Sequence, residues 1–319
     1  MPKKTNPFFS TDILSLEQFS SSDLLLLFGK ADKIRKVIEK KGYIDLLKGK
    51  LATLLFYEPS SRTFSSFAAA VKRLGEQVIE YQNPTQTSSA VKGETISDST
   101  KVFETYSDAI IMRHPVEGTA KIAAAAATRV PVINAGDGSG EHPTQAFLDL
   151  YTMYSKHKTL NGLKILLVGD LLYGRTVHSL LKGLSLFKNI TVYLLSPKNL
   201  QMPESVKSYA TKRGLKIIEI STQKEIPPDC HVWYWTRVQK ERFKNLKDYE
   251  KVKLTYVLTK KLVDEKAAKN TIFMHPLPRV GEITLDVDSD PRAIYLTEQI
   301  KNGMYVRMAL LALVLLPKA

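Results

Sequence analysis

Six consecutive residues, Glu58-Pro59-Ser60-Ser61-Arg62-Thr63, put three hydroxyls and a guanidinium within one short segment. The run Leu51-Ala52-Thr53-Leu54-Leu55-Phe56-Tyr57 before them is apolar and short enough for a buried strand. After them Phe64, Phe67, Ala68, Val71 and Leu74 recur at helical spacing. Ser60 to Thr63 therefore open a helix. A helix start exposes unpaired N–H groups and the positive end of the macrodipole, which together attract a phosphate. Hydroxyls and a forked charge add to it. The same tetrapeptide also suits an ordinary helix cap followed by a solvated arginine.

Three more constellations follow strand-like runs. Arg113-His114-Pro115 follows Ala109 to Met112, and Arg237-Val238-Gln239 follows a run ending at Trp235, with Arg237 and Gln239 on one side if extended. In His142-Pro143-Thr144-Gln145 the spacing predicts His142 at the N-cap, Pro143 at the first helical position and Gln145 facing the same way. Capping and solvation account for these residues as well. Gly169-Asp170-Leu171-Leu172-Tyr173-Gly174-Arg175-Thr176 has the spacing of a nucleotide phosphate loop, except that Arg175 stands where lysine belongs. A planar fork suits a carboxylate better than a point between phosphates.

The elements that must position these groups alternate regularly. Helical periodicity from Leu24 to Ile38 precedes the strand at Leu51. Strand-like runs recur at Gln77 to Tyr81, Ala109 to Met112 and Val130 to Asn134. A second series runs through Leu163 to Val168, Ile190 to Leu195, Lys216 to Ile220, Val232 to Trp235 and Thr271 to Met274. Interleaved helices make the simplest account an α/β protein of two doubly wound domains, each with a mainly parallel sheet flanked by helices. The junction falls near Gly136-Asp137-Gly138-Ser139-Gly140. A final helix, about Tyr295 to Leu316, is expected to return to the first domain.

The 319 residues exceed the usual span of one core, in keeping with two domains. The 46 Lys and Arg against 32 Asp and Glu give a net charge of +14, which suits acidic small molecules, nucleic acid or an acidic protein. No polybasic run is present, and Trp233 and Trp235 lie in a strand-like run that reads as core, so nucleic acid is not the expected partner. The single cysteine, Cys230, fits a reducing compartment, and its neighbour His231 has no companions at metal-ligand spacing. No secretory segment is visible at the start, and Met308 to Leu316 is too short to span a bilayer. A cytoplasmic protein away from membranes is expected.

Read in order along the chain, the motifs resemble the aspartate type of the aspartate/ornithine carbamoyltransferase family. They are Phe56 to Thr63, Lys92-Gly93-Glu94-Thr95, Met112 to Pro115, Gly136-Asp137-Gly138 with His142 to Gln145, Gly169-Asp170 with Tyr173 to Thr176, Arg237 to Arg242, His275-Pro276-Leu277-Pro278-Arg279, and the ending Asn302 to Leu311. The ornithine branch typically carries His-Cys-Leu-Pro at the His275 segment. Both that segment and Lys92-Gly93-Glu94 favour aspartate.

The resemblance implies transfer of the carbamoyl group of carbamoyl phosphate to L-aspartate in pyrimidine biosynthesis, without metal or organic cofactor. It implies a carbamoyl-phosphate domain, residues 1–141 with 296–319, and an aspartate domain, residues 142–295, in a homotrimer with shared active sites. Ser60, Ser61, Arg62 and Thr63, with Arg113, would hold the phosphate. Thr63, Arg113 and His142 would polarise the carbonyl oxygen, while Gln145 and the carbonyls of Pro276 and Leu277 receive the amino group. Arg175, Arg237 and Gln239 would hold the aspartate carboxylates. Ser88 and Lys92 match residues lent by an adjacent subunit, and Lys92 contacts both substrates. Glu58 and Arg242 match a pair that, with Arg175, ties the domains in a closed state. Two departures stand out. Ser61 replaces a threonine and keeps its hydroxyl, and Gly281 stands where an acidic residue is usual, which bears on the local loop. No feature speaks for or against regulatory chains.

Overall fold

The computed structural model describes residues 6–83 and 93–318. The chain divides into two compact units, Met1–Leu148 with Lys301–Ala319, and Asp149–Ile300. In the first, β1 (Leu51–Phe56), β2 (Gln77–Gln82), β3 (Ala109–His114) and β4 (Val132–Asp137) form a parallel sheet in the order β2-β1-β3-β4. In the second, β5 (Lys164–Val168), β6 (Thr191–Leu195), β7 (Lys216–Ile220), β8 (Val232–Trp235) and β9 (Ile272–Met274) form a parallel sheet in the order β7-β6-β5-β8-β9.

Parallel strands need crossover connections, and helices supply most of them. A sheet covered on both faces asks its central strands to be apolar without alternation. β8 meets that demand by being buried at every position, and β1 at all but the first. Trp233 and Trp235 are wholly buried, with Trp233 against Phe273 at 5.4 Å between ring centroids, and the Trp235 indole N–H donates to the Tyr256 carbonyl at 3.1 Å. They are core residues, closed to a stacking base.

Two expected boundaries move for local reasons. β4 begins at Val132, two residues late, because Pro131 has no N–H for the ladder; its carbonyl still accepts from Ile110 at 3.0 Å. The last helix spans Glu298–Leu315, since the Ile294 carbonyl accepts from Thr297 and Gln299 and the chain turns there first. Within the first unit this helix is tied by Arg307 Nη1 to Ser66 Oγ at 2.9 Å and by Asn6 Nδ2 to the Leu313 carbonyl at 2.7 Å. Tyr305 to Val314 are buried.

Both strand orders reverse direction once. From β1 the first chain segment winds out to β2, then returns to β3 on the other side. From β5 the second winds out through β6 to β7, then returns to β8. At such a switch point the loops after the two central strands diverge and leave a crevice at the carboxyl edge of the sheet. The loops concerned are Tyr57 to Ser60 and the segment after His114 in one unit, and Gly169 to Gly174 and Thr236 to Gln239 in the other.

Candidate active site

In the first unit the helix after β1 spans Ser61–Arg73, with Ser60 extended at φ −157° as its N-cap. The Ser60 side chain makes no capping bond, whereas Ser20 begins its helix with a reciprocal box to Asp23. An ordinary cap is therefore not what Ser60 provides. Its first-turn amides stay available for an anion. The helix start is firmly seated. Phe64, Phe67 and Val71 are buried, and Phe64 meets Phe56 of β1 edge-on at 5.2 Å. Thr63 is buried at that end, while Ser61 and Arg62 are exposed.

Arg113 stands within β3 near its carboxyl end and is buried to 8% exposure. Its Nη2 pairs with Glu58 Oε2 at 2.7 Å and its Nη1 donates to the Ala135 carbonyl at 3.3 Å, so its fork is braced by the loop after β1 and by β4. The next residue, His114, accepts the Val116 N–H on Nδ1 at 3.0 Å, and burial holds its imidazole below the usual range. A neutral ring is what that bond requires. At the end of β4, Asp137 accepts the amides of Glu141 and Gly118, both at 3.0 Å. That folds the chain back to His142. His142 is buried, its carbonyl accepts from Gln145 and Ala146 at 3.1 and 3.2 Å, and Pro143 opens the helix Pro143–His157. Ser60 to Thr63, Arg113 and His142 thus share the carboxyl edge of one sheet, as the spacing of their motifs led one to expect. Gln145 lies half-buried in the first turn after His142.

In the second unit Gly169 leaves β5 at φ 113°, and a Cβ there would lie 2.1 Å from the Thr236 carbonyl oxygen. Only glycine lets the loops after β5 and β8 come so close. Asp170 fastens them. It is fully buried and accepts the Tyr173 N–H at 2.9 Å on one oxygen and the Gln239 N–H at 3.2 Å on the other. Burial raises its pKa above the ordinary carboxylate value, against the pull of those amides. The amides that a nucleotide would need are thereby taken, so this loop is not a nucleotide cradle.

Beyond that loop, Arg175 begins the helix Arg175–Leu184. Arg237 and Gln239 are both half-buried around a buried Val238, the alternation expected of extended chain. Arg237 forks onto Glu241 four residues on, with Nη1 to Oε2 at 3.0 Å and Nη2 on Oε1. This bond holds the Glu241 carboxyl below its usual range. The geometry is that of a guanidinium already grasping a carboxylate. Sequence reading named Arg237 but missed Glu241 and Asp170, although the four-residue spacing of the first pair was a signal.

The loop after β9 carries Pro276 and Leu277, both half-buried, and Leu277 has a positive φ of 55°. Such a conformation costs a leucine roughly 1–2 kcal/mol. Gly281 sits at φ 113°, and the adjacent Glu282, buried, supplies the acidic group of this segment. Ser88 and Lys92 lie outside the described residues.

Two family models match successive parts of the chain. Residues 11–155 match the family description "aspartate/ornithine carbamoyltransferase, carbamoyl-P binding domain", and residues 161–314 match the family's Asp/Orn binding domain. The chain belongs to the aspartate/ornithine carbamoyltransferase family. A multifunctional protein of Dictyostelium discoideum is 47% identical over 97% of the chain, which spans only 14% of that relative's length. The aspartate carbamoyltransferase catalytic subunit of Methanopyrus kandleri is 44% identical, with 97% of this chain and 98% of that one covered. Among solved structures of the family, aspartate transcarbamoylase of Trypanosoma cruzi in complex with carbamoyl aspartate and phosphate superposes with a TM-score of 0.87 at 40% identity, covering 97% of each chain.

Proposed function

We propose that this chain transfers the carbamoyl group of carbamoyl phosphate to the amino group of L-aspartate, giving N-carbamoyl-L-aspartate and phosphate, a step of pyrimidine biosynthesis. One observation carries it: the open helix start at Ser60, the braced Arg113 and the buried His142 lie along one carboxyl edge. An anion carrying a carbonyl finds amides, hydroxyls and a guanidinium there for its phosphate, and a hydroxyl, a guanidinium and an imidazole for its oxygen. The Methanopyrus kandleri relative, an aspartate carbamoyltransferase catalytic subunit at 44% identity, favours aspartate as the acceptor.

Ser60, Ser61, Arg62 and Thr63, with Arg113, bind the phosphate. Thr63, Arg113 and His142 donate to the carbonyl oxygen. Gln145 and the carbonyls of Pro276 and Leu277 take the carbamoyl amino group. Arg175, Arg237 and Gln239 hold the two aspartate carboxylates, and Arg237 exchanges Glu241 for its ligand. The uncharged aspartate amine then attacks the carbamoyl carbon, negative charge gathers on the oxygen facing the donors, and the C–O bond to phosphate breaks as the amine's surplus proton passes to a phosphate oxygen of the substrate or to Lys92. The donors gain strength as that charge develops, and the bound geometry replaces a bimolecular encounter.

Residues 1–141 with 296–319 serve as the carbamoyl-phosphate domain and residues 142–295 as the aspartate domain. Ser88 and Lys92 act on a neighbouring subunit's site in a homotrimer. A reducing compartment such as the cytoplasm suits the single buried Cys230, whose thiol burial pushes up to about 12. The deciding experiment offers purified protein carbamoyl phosphate with aspartate or ornithine and identifies the carbamoylated product. Carbamoyl-aspartate is expected, and carbamoyl-ornithine alone would overturn the assignment.

A further inference from the structure

The loop His275-Pro276-Leu277-Pro278 holds the two carbonyls assigned above to the carbamoyl amino group, and Leu277 occupies the left-handed region that leucine avoids. A residue stays there only where its surroundings over-determine it. The group responsible is the His275 ring, whose side chain is wholly buried. Its Nδ1 accepts the Leu277 N–H at 2.7 Å. Its Nε2 lies 2.7 Å from Glu282 Oε1, and the other oxygen of Glu282 accepts the Val280 N–H at 2.9 Å.

A backbone amide can only donate, so Nδ1 keeps its lone pair and the ring's single proton sits on Nε2, donated to the carboxylate. His275 is therefore neutral and Glu282 ionised. Burial alone would raise the Glu282 pKa, but the bonds from His275 and Val280 hold it below the ordinary value. The backbone of the same histidine is anchored too. Its N–H donates to Gln299 Oε1 at 3.0 Å, Gln299 Nε2 donates to Asp149 Oδ1 at 2.7 Å, and Asp149 Oδ2 accepts from the Tyr234 hydroxyl at 2.8 Å.

We propose that Glu282 and His275 are a positioning pair: the carboxylate fixes the tautomer and tilt of the imidazole, and the imidazole fixes the Leu277 amide, so that the Pro276 and Leu277 carbonyls are presented to the carbamoyl amino group. This role rests on the carbamoyl-transfer function proposed above. Neither side chain touches substrate. A conserved shape without the right acceptors is not enough, because Glu282 satisfies two donors at once. Glu282→Gln offers one acceptor oxygen, and either His275 Nε2–H or Val280 N–H then loses its bond.

The readout is selectivity between two ligands that share a phosphate. Inorganic phosphate does not use the Leu277 loop, whereas carbamoyl phosphate does. Binding of each to wild type and Glu282→Gln is measured by calorimetry, beside turnover with aspartate. In the variant the preference for carbamoyl phosphate over phosphate falls roughly ten-fold while the phosphate Kd itself stays within about two-fold. A general loss of structure would weaken both ligands together, and that result, or an unchanged preference in the variant beside a wild type that turns over, overturns the positioning role alone. A wild type without carbamoyl transfer overturns the function and this role with it. Should the variant fail to fold, isotope-labelled histidine NMR on the wild type decides. His275 is expected protonated on Nε2 only, and a proton on its Nδ1 removes the pair.

Discussion

At the switch point of the first sheet the helix opened by Ser61 receives no bond from the Ser60 side chain, whereas at that of the second sheet the amides of Tyr173 and Gln239 are both given to the buried Asp170 carboxylate. The folds are alike, and the use of backbone donors is opposite. The difference follows from the ligands proposed for each edge. A phosphate presents three oxygens to any convergent set of donors, and a helix start supplies such a set without side-chain entropy. Aspartate must be told from its neighbours by the distance between two planar carboxylates, and guanidinium forks read that geometry better than amides do. On the proposed assignment, the second unit gives these amides to rigidity and leaves recognition to Arg175, Arg237 and Gln239.

The strongest way to break this contrast is Arg62→Ala. Arg62 is exposed at the helix start and packs nothing into the core, so the fold should survive. Turnover should fall by about two to three orders of magnitude if Arg62 faces the developing charge. Circular dichroism with a carbamoyl-aspartate assay checks both halves. A near-normal rate removes Arg62 from the site and leaves the cradle to the amides, the neighbouring hydroxyls and Arg113.

A smaller effect sharpens the other side. Arg237→Lys keeps the charge but loses the fork, and the KM for aspartate should rise about ten- to hundred-fold, as expected when a charged hydrogen bond is lost. The Kd of carbamoyl phosphate should stay put, since its phosphate is held by the other unit. Equal weakening of both substrates would mean that the two edges do not divide the work as proposed.

How much of this was legible in the sequence depended on the range of the interaction involved. The strands and the helix starts at Ser61, Pro143 and Arg175 follow from local patterns, since an apolar run, a proline or an open cap acts within a few residues. The site arginines could be named because each lies at or soon after the carboxyl end of a strand, in a motif that resembles the family's. What each arginine touches could not. Glu58 meets Arg113 only because β1 and β3 are neighbours, and Asp170 reaches Gln239 only because β5 adjoins β8. Likewise Glu282 is seven residues from His275, a spacing that carries no periodicity, and their bond exists because the loop after β9 doubles back. The late start of β4 was readable in principle from Pro131.

The same contrast reaches one more pair of residues, and the effect there is on stability alone. Each unit buries a carboxyl group, and Asp170 gives both of its oxygens to backbone amides. Glu76, 3% exposed just before β2, accepts no hydrogen bond on either oxygen among the described residues. Burial, reinforced by the nearby Asp108 and opposed by Lys50, raises it from 4.5 to about 8. In the native state Glu76 is then protonated at neutral pH, while in the unfolded chain it is ionised above about 4.5. Between those values the native state holds the extra proton. Stability from this group is therefore fully present below about 4.5 and falls as pH rises, at about 1.4 kcal/mol per unit, until the loss is complete above about 8. Glu76→Gln keeps the shape without the ionisation, so the variant should match wild type in acid and melt a few degrees higher at pH ~9. Melting curves across that range test it. Parallel curves at every pH would mean that Glu76 is ionised and solvated in the native protein, and the first unit would then have no unsatisfied carboxyl to set against Asp170.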